Sequence, residues 1–112
     1  MRIFERPWGH YEVITLENNY QIKKLVVLPG EELSYQSHKH RAEHWLVVEG
    51  VATVTLDGVT REVTPGMSVF VDIEQKHRIS NFTAGKVSII EIQYGDYLGE
   101  DDIVRYSDNY GR

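Results

Sequence analysis

The feature that most constrains the fold of this chain is a series of short β-strand patterns, each closed by a turn signal. The strongest of these signals is Asp57-Gly58, a dipeptide typical of two-residue β-hairpin turns. Asparagine, proline and glycine indicate further turns at 18–19, 29–30 and 65–66. The pattern predicts strands over residues 11–16, 20–28, 33–40, 43–49, 51–56, 59–63, 67–71, 77–82 and 87–94.

Short strands in this number, without a helical repeat, predict an all-β fold, a small double-sheet barrel or jelly roll. The 112 residues contain no internal repeat or linker and are enough for a core without disulfides, so we expect a single domain over residues 1–112. Only the tail, residues 95–112, departs from the strand pattern. Acidic residues at 100–102 would favour a helix N-terminus, so the tail is predicted to form a short helix or a turn.

Composition excludes several classes of protein. No cysteine is present, which rules out disulfide frameworks and thiolate metal sites and suits a reducing cytoplasm. With 17 acidic and 12 basic side chains the net charge is −5, the opposite of a nucleic-acid-binding surface. No apolar run approaches the ~18 residues of a membrane span, and the start does not resemble a signal peptide. We therefore expect a cytoplasmic protein with neither nucleic acid nor membrane as a partner.

Residue types that bind metals are concentrated between two apolar runs, at 25–28 and 45–48. Within nine residues the chain carries Gln36, His38, His40, Glu43 and His44. Alternation along a strand would place Gln36, His38 and His40 on one face. A metal site on a β scaffold is therefore expected, with either His38 and His40 or Gln36 and His38 as its first ligand pair.

Two spaced motifs resemble those of the cupins, a superfamily of small β-barrels. The first cupin motif fits Gly30, Gln36, His38, Glu43 and Gly50, with glutamine in the slot of the first histidine. The second fits Gly66, Asp72, Glu74, His77 and Asn81, with acidic residues in its proline and glycine slots. The resemblance implies a cupin-type double-stranded β-helix, a jelly-roll barrel, and favours Gln36 over His40 as the partner of His38.

By this resemblance the metal ligands are Gln36, His38, Glu43 and His77. Two imidazoles, one carboxylate and one amide oxygen suit a single divalent transition metal ion. Zinc is the first expectation, and iron, manganese, cobalt and nickel are the alternatives. Glutamine in the first ligand slot counts against a cupin oxygenase, whose ligand set would be three histidines and a glutamate.

Longer segments narrow the resemblance to one family. The RPWG sequence at 6–9 and the segments 20–30, 40–50, 91–105 and 110–112 look like the isomerase domain of type II mannose-6-phosphate isomerases. In that family the domain usually follows a mannose-1-phosphate guanylyltransferase domain in one bifunctional protein of GDP-mannose biosynthesis. These 112 residues contain no glycine-rich phosphate loop and no α/β region, so guanylyltransferase activity is not expected of them.

The resemblance implies metal-dependent interconversion of mannose 6-phosphate and fructose 6-phosphate, with a sugar phosphate as the small-molecule partner. His40 is then expected as the base, and Glu91, a carboxylate in an apolar strand pattern, is the second candidate. Arg41, Arg105 and Lys23 are expected to bind the phosphate. The alternative is a non-catalytic metal- or sugar-binding module that works with a separate sugar nucleotidyltransferase. Strand edges and aromatic segments lead us to expect a homodimer in either case.

Overall fold

The structure is a computed structural model that describes residues 2–111; Met1 and Arg112 lie outside the described residues. The first and last residues of the predicted 1–112 domain therefore lie outside the described residues. The same holds for the last residue of the 110–112 segment. The described chain forms eleven strands: β1 Arg2–Arg6, β2 Gly9–Leu16, β3 Tyr20–Val27, β4 Tyr35–Ser37, β5 Arg41–Glu49, β6 Ala52–Leu56, β7 Val59–Val63, β8 Ser68–Val71, β9 His77–Ser80, β10 Val87–Gly95 and β11 Val104–Ser107.

These strands form two antiparallel sheets. The larger sheet has six strands in the order β1-β2-β3-β10-β5-β8, and the smaller has five in the order β11-β4-β9-β6-β7. Residues 2–111 contain no helix, and so none that is long and apolar enough to cross a membrane. The predicted all-β class with two sheets is confirmed, and most predicted strands agree closely with observed ones.

Inward-facing side chains change from apolar to polar along β3, β5 and β10, which are neighbours in the larger sheet. In the register of β3 and β10, the apolar end pairs Leu25 with Ile89 and the polar end pairs Lys23 with Glu91. The hydrophobic core is formed by Trp8, Tyr11, Leu25, Val27, Trp45, Val47, Ala52, Val54, Val63, Val69, Val71, Ile79, Val87 and Ile89. One half of the barrel therefore supplies hydrophobic stabilisation, and the other half is lined by polar groups.

The tail does not form the short helix that the sequence analysis allowed, whereas the predicted turn is confirmed. The amide of Asp102 donates to the carbonyl oxygen of Gly99 at 3.1 Å, and the chain then enters β11. β11 pairs with β4, and the hydroxyl oxygens of Tyr106 and Ser37 lie 2.8 Å apart. Pairing wins over a helix here because it satisfies backbone groups along an edge of the smaller sheet that would otherwise be open.

Two further strands differ from the prediction. The predicted strand 33–40 is observed only as β4, because the carboxylate of Asp102 accepts the amide protons of Lys39 and His40, both at 2.9 Å, and bends the chain. β1 is absent from the prediction. Its pattern is weak because it lies at an edge of the larger sheet, where Ile3 is 58% exposed.

Asn81 is fully buried where the chain leaves β9, and its side chain should be needed for stability. Its Nδ2 donates to the carbonyl oxygens of Val27 and Gly85 at 2.9 and 2.8 Å, and its Oδ1 accepts from the amide of Thr83 at 3.0 Å. In Asn81→Ala these buried groups lose their partner, so the free energy of unfolding should fall by about 2–4 kcal/mol in urea denaturation. The control Phe82→Ala, at a side chain that is 70% exposed, should change it by less than about 0.5 kcal/mol. Equal losses in the two variants would contradict this role.

Candidate functional site

A cavity of about 90 Å³ lies at the polar end of the barrel. Its charged lining side chains are Arg6, Lys23, Arg41, Glu43, Arg78, Glu91, Glu100 and Arg105, and it is also lined by Gln36, His38 and His77. The structure thus brings together eight of the nine predicted site residues, all except His40. This volume is enough for an ion with a few water molecules.

Three buried side chains offer metal-ligand atoms to this cavity: His38, Glu43 and His77. One ligand atom from each lies within 4.8 Å of the other two. Nε2 of His38 is 3.4 Å from Oε2 of Glu43, and Nε2 of His77 is 4.0 Å from Oε1 of the same carboxylate. Strand pairing positions them, because β4 and β9 bring Gln36 opposite His77 while Glu43 enters from β5 of the other sheet.

Backbone carbonyl groups orient both imidazoles. Nδ1 of His38 lies 2.7 Å from the carbonyl oxygen of Asp102, and Nδ1 of His77 lies 2.9 Å from that of Gln75. A carbonyl oxygen only accepts, so each Nδ1 carries a proton and each Nε2 is left for the side of the ring that faces Glu43. Burial lowers the pKa of His38 to about 4, although Glu43 opposes the shift, so this imidazole is neutral at pH 7. His38 therefore has the form in which imidazole binds metals.

Glu43 is the negative centre of the site. Nε1 of Trp45 donates to its Oε1 and Nε of Arg41 donates to its Oε2, each at 2.9 Å. Burial on its own would raise the pKa of Glu43, but the positive charge of Arg41 outweighs burial and holds this pKa far below its usual value. Glu43 is therefore ionised, as a metal ligand must be.

The donor set fits the divalent transition metal ion predicted from the sequence. Two imidazole nitrogens and one carboxylate oxygen are ligands that zinc and its neighbours accept. Gln36 also lines the cavity, and its Nε2 donates to Oγ of Ser34 at 3.0 Å, which leaves the amide oxygen as its ligand atom. The structure therefore contains a candidate metal site.

The guanidinium of Arg41 contacts two of the three candidate ligands. Its Nε donates to Glu43, and its Nη2 lies 3.2 Å from Nε2 of His38. Its Nη1 is buried and has no hydrogen-bond partner within residues 2–111. Arg41 thus balances the charge of Glu43, and a metal ion would compete with it for both ligands.

Glu91 faces into the cavity from β10 and is buried. Its Oε1 accepts from Nε2 of Gln93 at 2.7 Å. Burial and the negative charge of Glu43 raise the pKa of Glu91 to about 8, against the opposing charges of Lys23 and Arg41. Of these two buried carboxyl groups, Glu43 is therefore ionised and Glu91 is protonated at pH 7.

Glu100 comes from the turn before β11 and lines the cavity, and its side chain is half-exposed. Its Oε2 is 3.0 Å from Nζ of Lys23, and its Oε1 accepts from the hydroxyl of Tyr11 at 3.2 Å. Burial would raise the pKa of Glu100, but the charge and hydrogen bond of Lys23 and the charge of Arg41 lower it. Lys23 points inward, since only 4% of this residue is exposed and it lines the cavity.

His40 lies outside the cavity, so its predicted position on the ligand face is wrong. Its side chain is 50% exposed, with Nδ1 3.4 Å from Oδ1 of Asp96, and its ring packs edge-on against Tyr97. The cause is the bend at 38–40: once β4 ends at Ser37, the two-residue alternation no longer carries the ligand face forward.

Tyr11, Glu100 and Asp102 belong to the site but were not predicted from the sequence. Tyr11 stands in a strand pattern, so its inward direction could have been read from alternation. Glu100 and Asp102 have no such signal, because they reach the site only when the tail folds back along β4.

The metal-site geometry predicts opposite effects for two neighbouring histidines. His38→Ala removes a buried ligand and should lower the bound zinc per chain at least tenfold, as measured by elemental analysis after equilibrium dialysis against micromolar zinc. His40→Ala should leave the zinc content unchanged, because its ring is outside the cavity. Circular dichroism checks that both variants fold. Loss of zinc in His40→Ala alone would refute the assignment.

Glu91 should make the metal-free fold less stable as the pH rises. Its pKa moves from an ordinary 4.5 to about 8 on folding, so between these values the folded state binds a proton that the unfolded state has lost. The free energy of unfolding should therefore fall, relative to that of Glu91→Gln, by up to about 1.4 kcal/mol per pH unit between pH 5 and 8. Urea denaturation of both chelator-treated proteins measures this difference. Parallel pH profiles would contradict the raised pKa.

Residues 1–108 match the protein family described as Mannose-6-phosphate isomerase C-terminal. The chain is 47% identical over 107 residues to the mannose-1-phosphate guanylyltransferase of Salmonella montevideo, which covers 96% of this chain and 23% of that protein. It is 48% identical over 107 residues to the alginate biosynthesis protein AlgA of Pseudomonas aeruginosa, which covers 96% of this chain and 22% of that protein. The chain thus spans less than a quarter of the length of these relatives.

These relatives overturn the prediction that this chain interconverts mannose 6-phosphate and fructose 6-phosphate. Relatives at 47% and 48% identity are named for guanylyltransfer and for alginate biosynthesis. The structure adds that His40, the expected base, lies outside the cavity. The base roles predicted for His40 and Glu91 belonged to the isomerase activity and lose their basis with it.

The fold is shared with more distant proteins. The cupin domain of Cnp3 from Schizosaccharomyces pombe superposes with a TM-score of 0.74 at 16% identity, covering 78% of this chain and 64% of that chain. An identity this low shows the fold alone, and it confirms the predicted cupin barrel. The chain has the cupin fold, and from the match over residues 1–108 and its relatives we conclude that it belongs to the mannose-6-phosphate isomerase C-terminal family.

Proposed function

We propose that this chain is a ligand-binding cupin domain that holds one divalent metal ion and a mannose phosphate and acts together with a mannose-1-phosphate guanylyltransferase. The observation that carries the proposal is that three buried metal-ligand side chains lie beside cationic side chains at one end of the barrel. A metal ion and an anionic ligand are the two partners that such an arrangement suits.

Zinc is the metal that we propose first, held by His38, Glu43 and His77 with Gln36 as the fourth ligand. Iron, manganese, cobalt or nickel would accept the same nitrogen and oxygen donors. When bound, the ion would act as a Lewis acid on the oxygens of a sugar. The chain's own contribution is to orient two imidazoles and one carboxylate before the ion arrives.

Lys23, Arg41 and Arg105 support a phosphorylated ligand. Lys23 and Arg41 are 4% and 6% exposed, whereas Arg105 lies on the exposed strand β11, and all three line the cavity. The whole chain carries a net charge of −5, so an anion would be attracted only by a local cluster of cationic side chains such as this one. Arginine forks and a lysine are the usual donors to phosphate oxygens.

The name of one relative supports a mannose phosphate as the ligand. The name of the Salmonella relative includes mannose 1-phosphate, and this chain corresponds to 23% of that protein's length. A domain that binds a mannose phosphate beside such a transferase would raise the local concentration of the sugar phosphate around the active site. This role requires binding by the present chain and no chemistry of its own.

We further propose a cytoplasmic homodimer that binds neither nucleic acid nor membrane. The absence of cysteine supports a reducing compartment, and the net charge of −5 argues against nucleic acid. On the outer face of the larger sheet Leu46, Phe70 and Ile92 are 40%, 49% and 41% exposed, which supports self-association. Light scattering coupled to gel filtration measures the mass of the particle.

Isothermal titration of zinc-loaded protein with mannose 1-phosphate and mannose 6-phosphate tests the proposed function. We expect saturable binding of at least one of them, weakened at least tenfold by chelation and restored by zinc. Unphosphorylated mannose is the control for the phosphate, and glucose 1-phosphate is the control for the sugar. Absence of binding to every hexose phosphate, or binding that chelation leaves unchanged, would contradict the proposal.

A further inference from the structure

The carboxylate of Glu100 sits in a set of donors that is built for an anion. Nζ of Lys23 lies 3.0 Å from its Oε2, and the hydroxyl of Tyr11 donates to its Oε1 at 3.2 Å. The Tyr11 hydroxyl in turn accepts from Nη2 of Arg6 at 3.1 Å. Nη1 of Arg41 is a further donor nearby, 4.0 Å from Oε2 of Glu100.

The donors Lys23, Tyr11 and Arg41 are buried, whereas the carboxylate beside them is half-exposed. The side chains of Lys23 and Arg41 are 4% and 7% exposed, and that of Glu100 is 53% exposed. Nζ of Lys23 also lies 4.3 Å from the ring centre of Tyr11, which fixes the position of the ammonium group. Glu100 can therefore turn towards solvent while the donors stay in place.

Arg41 shows that Glu100 does not satisfy this set of donors. Its Nη1 has no hydrogen-bond partner within residues 2–111, although the side chain is only 7% exposed. A buried N–H without a partner is destabilising, and a carboxylate 4.0 Å away does not provide one. An anion with a third oxygen could contact Lys23, Tyr11 and Arg41 together.

We propose that Lys23, Tyr11 and Nη1 of Arg41 form an anion subsite for the phosphate of a bound sugar phosphate, and that the carboxylate of Glu100 occupies this subsite until the phosphate displaces it. The inference rests on the proposed function for the identity of the ligand. A phosphate monoester carries close to two negative charges and three acceptor oxygens, so it matches the donors better than one carboxylate does.

Titration with inorganic phosphate, followed by calorimetry, tests the subsite without a sugar. Glu100→Gln keeps the size of the side chain and removes the competing charge, so phosphate should bind to it at least tenfold more tightly than to the wild type. Glu62→Gln makes the same change of net charge at an exposed position of β7 and should bind phosphate as the wild type does. Equal affinities in Glu100→Gln and wild type, or a weaker affinity in Glu100→Gln, would overturn the proposal.

Two further variants in the Glu100→Gln background identify the donors. Tyr11→Phe keeps the buried ring and removes only the hydroxyl, so it should weaken phosphate binding several-fold. Lys23→Met keeps the apolar stem and should abolish the binding. Thermal unfolding checks that each variant is folded, and if Lys23→Met does not fold, Tyr11→Phe decides. Phosphate binding that neither variant weakens would place the anion elsewhere and overturn the proposal.

The outcomes separate this inference from the proposed function. If zinc-loaded wild type binds a mannose phosphate but Glu100→Gln changes neither that affinity nor the affinity for inorganic phosphate, the inference fails and the proposed function stands. If Glu100→Gln gains affinity for inorganic phosphate while no mannose phosphate binds to any variant, the subsite is real and the proposed function fails.

Discussion

The buried ion pair between Arg41 and Glu43 is the interaction on which the rest of the site depends. Both side chains lie inside the barrel, where an isolated charge would be costly. The pair is tolerated because Trp45 also donates to Glu43, and because Arg41 reaches His38. Loss of either partner would leave an uncompensated buried charge, a change that typically costs about 3–5 kcal/mol. Electrostatic balance therefore organises the cavity: Glu43 is paired, Glu91 is protonated beside it, and Lys23 pairs with Glu100.

Much of the fold could be predicted from the sequence, because alternation and turn residues act locally. The hairpin at Asp57-Gly58 joins β6 and β7 as predicted, and β7 (Val59–Val63) has the predicted bounds. Alternation along β3 likewise places Lys23 on the same inward face as Leu25. The prediction failed where an element depends on a contact with a distant part of the chain. β11 forms a strand because it pairs with the edge strand β4, and no local pattern at residues 104–107 indicates that pairing.

In the candidate site, too, the residues that follow local sequence patterns were predicted, and those that depend on distant contacts were not. Motif spacing selected His38, Glu43 and His77, and the structure brings these three together. His40 was misplaced because alternation was extended through a bend that Asp102 imposes from 62 residues further along the chain. Glu100 could not be predicted for a related reason: its contact with Lys23 joins residues 77 apart, and no local pattern encodes it. Sequence patterns thus located the ligands, whereas the groups that bend the chain and complete the lining of the cavity required the folded structure.

The proposed function depends on a metal ion bound at the polar end of this barrel. The most direct test is X-ray absorption at the zinc edge of the zinc-loaded protein, because it reports the ligands themselves. We expect two imidazole nitrogens at about 2.0–2.1 Å with oxygen ligands completing the coordination. A spectrum with oxygen ligands alone, or with a single imidazole, would contradict the assignment of His38, Glu43 and His77 as the metal site.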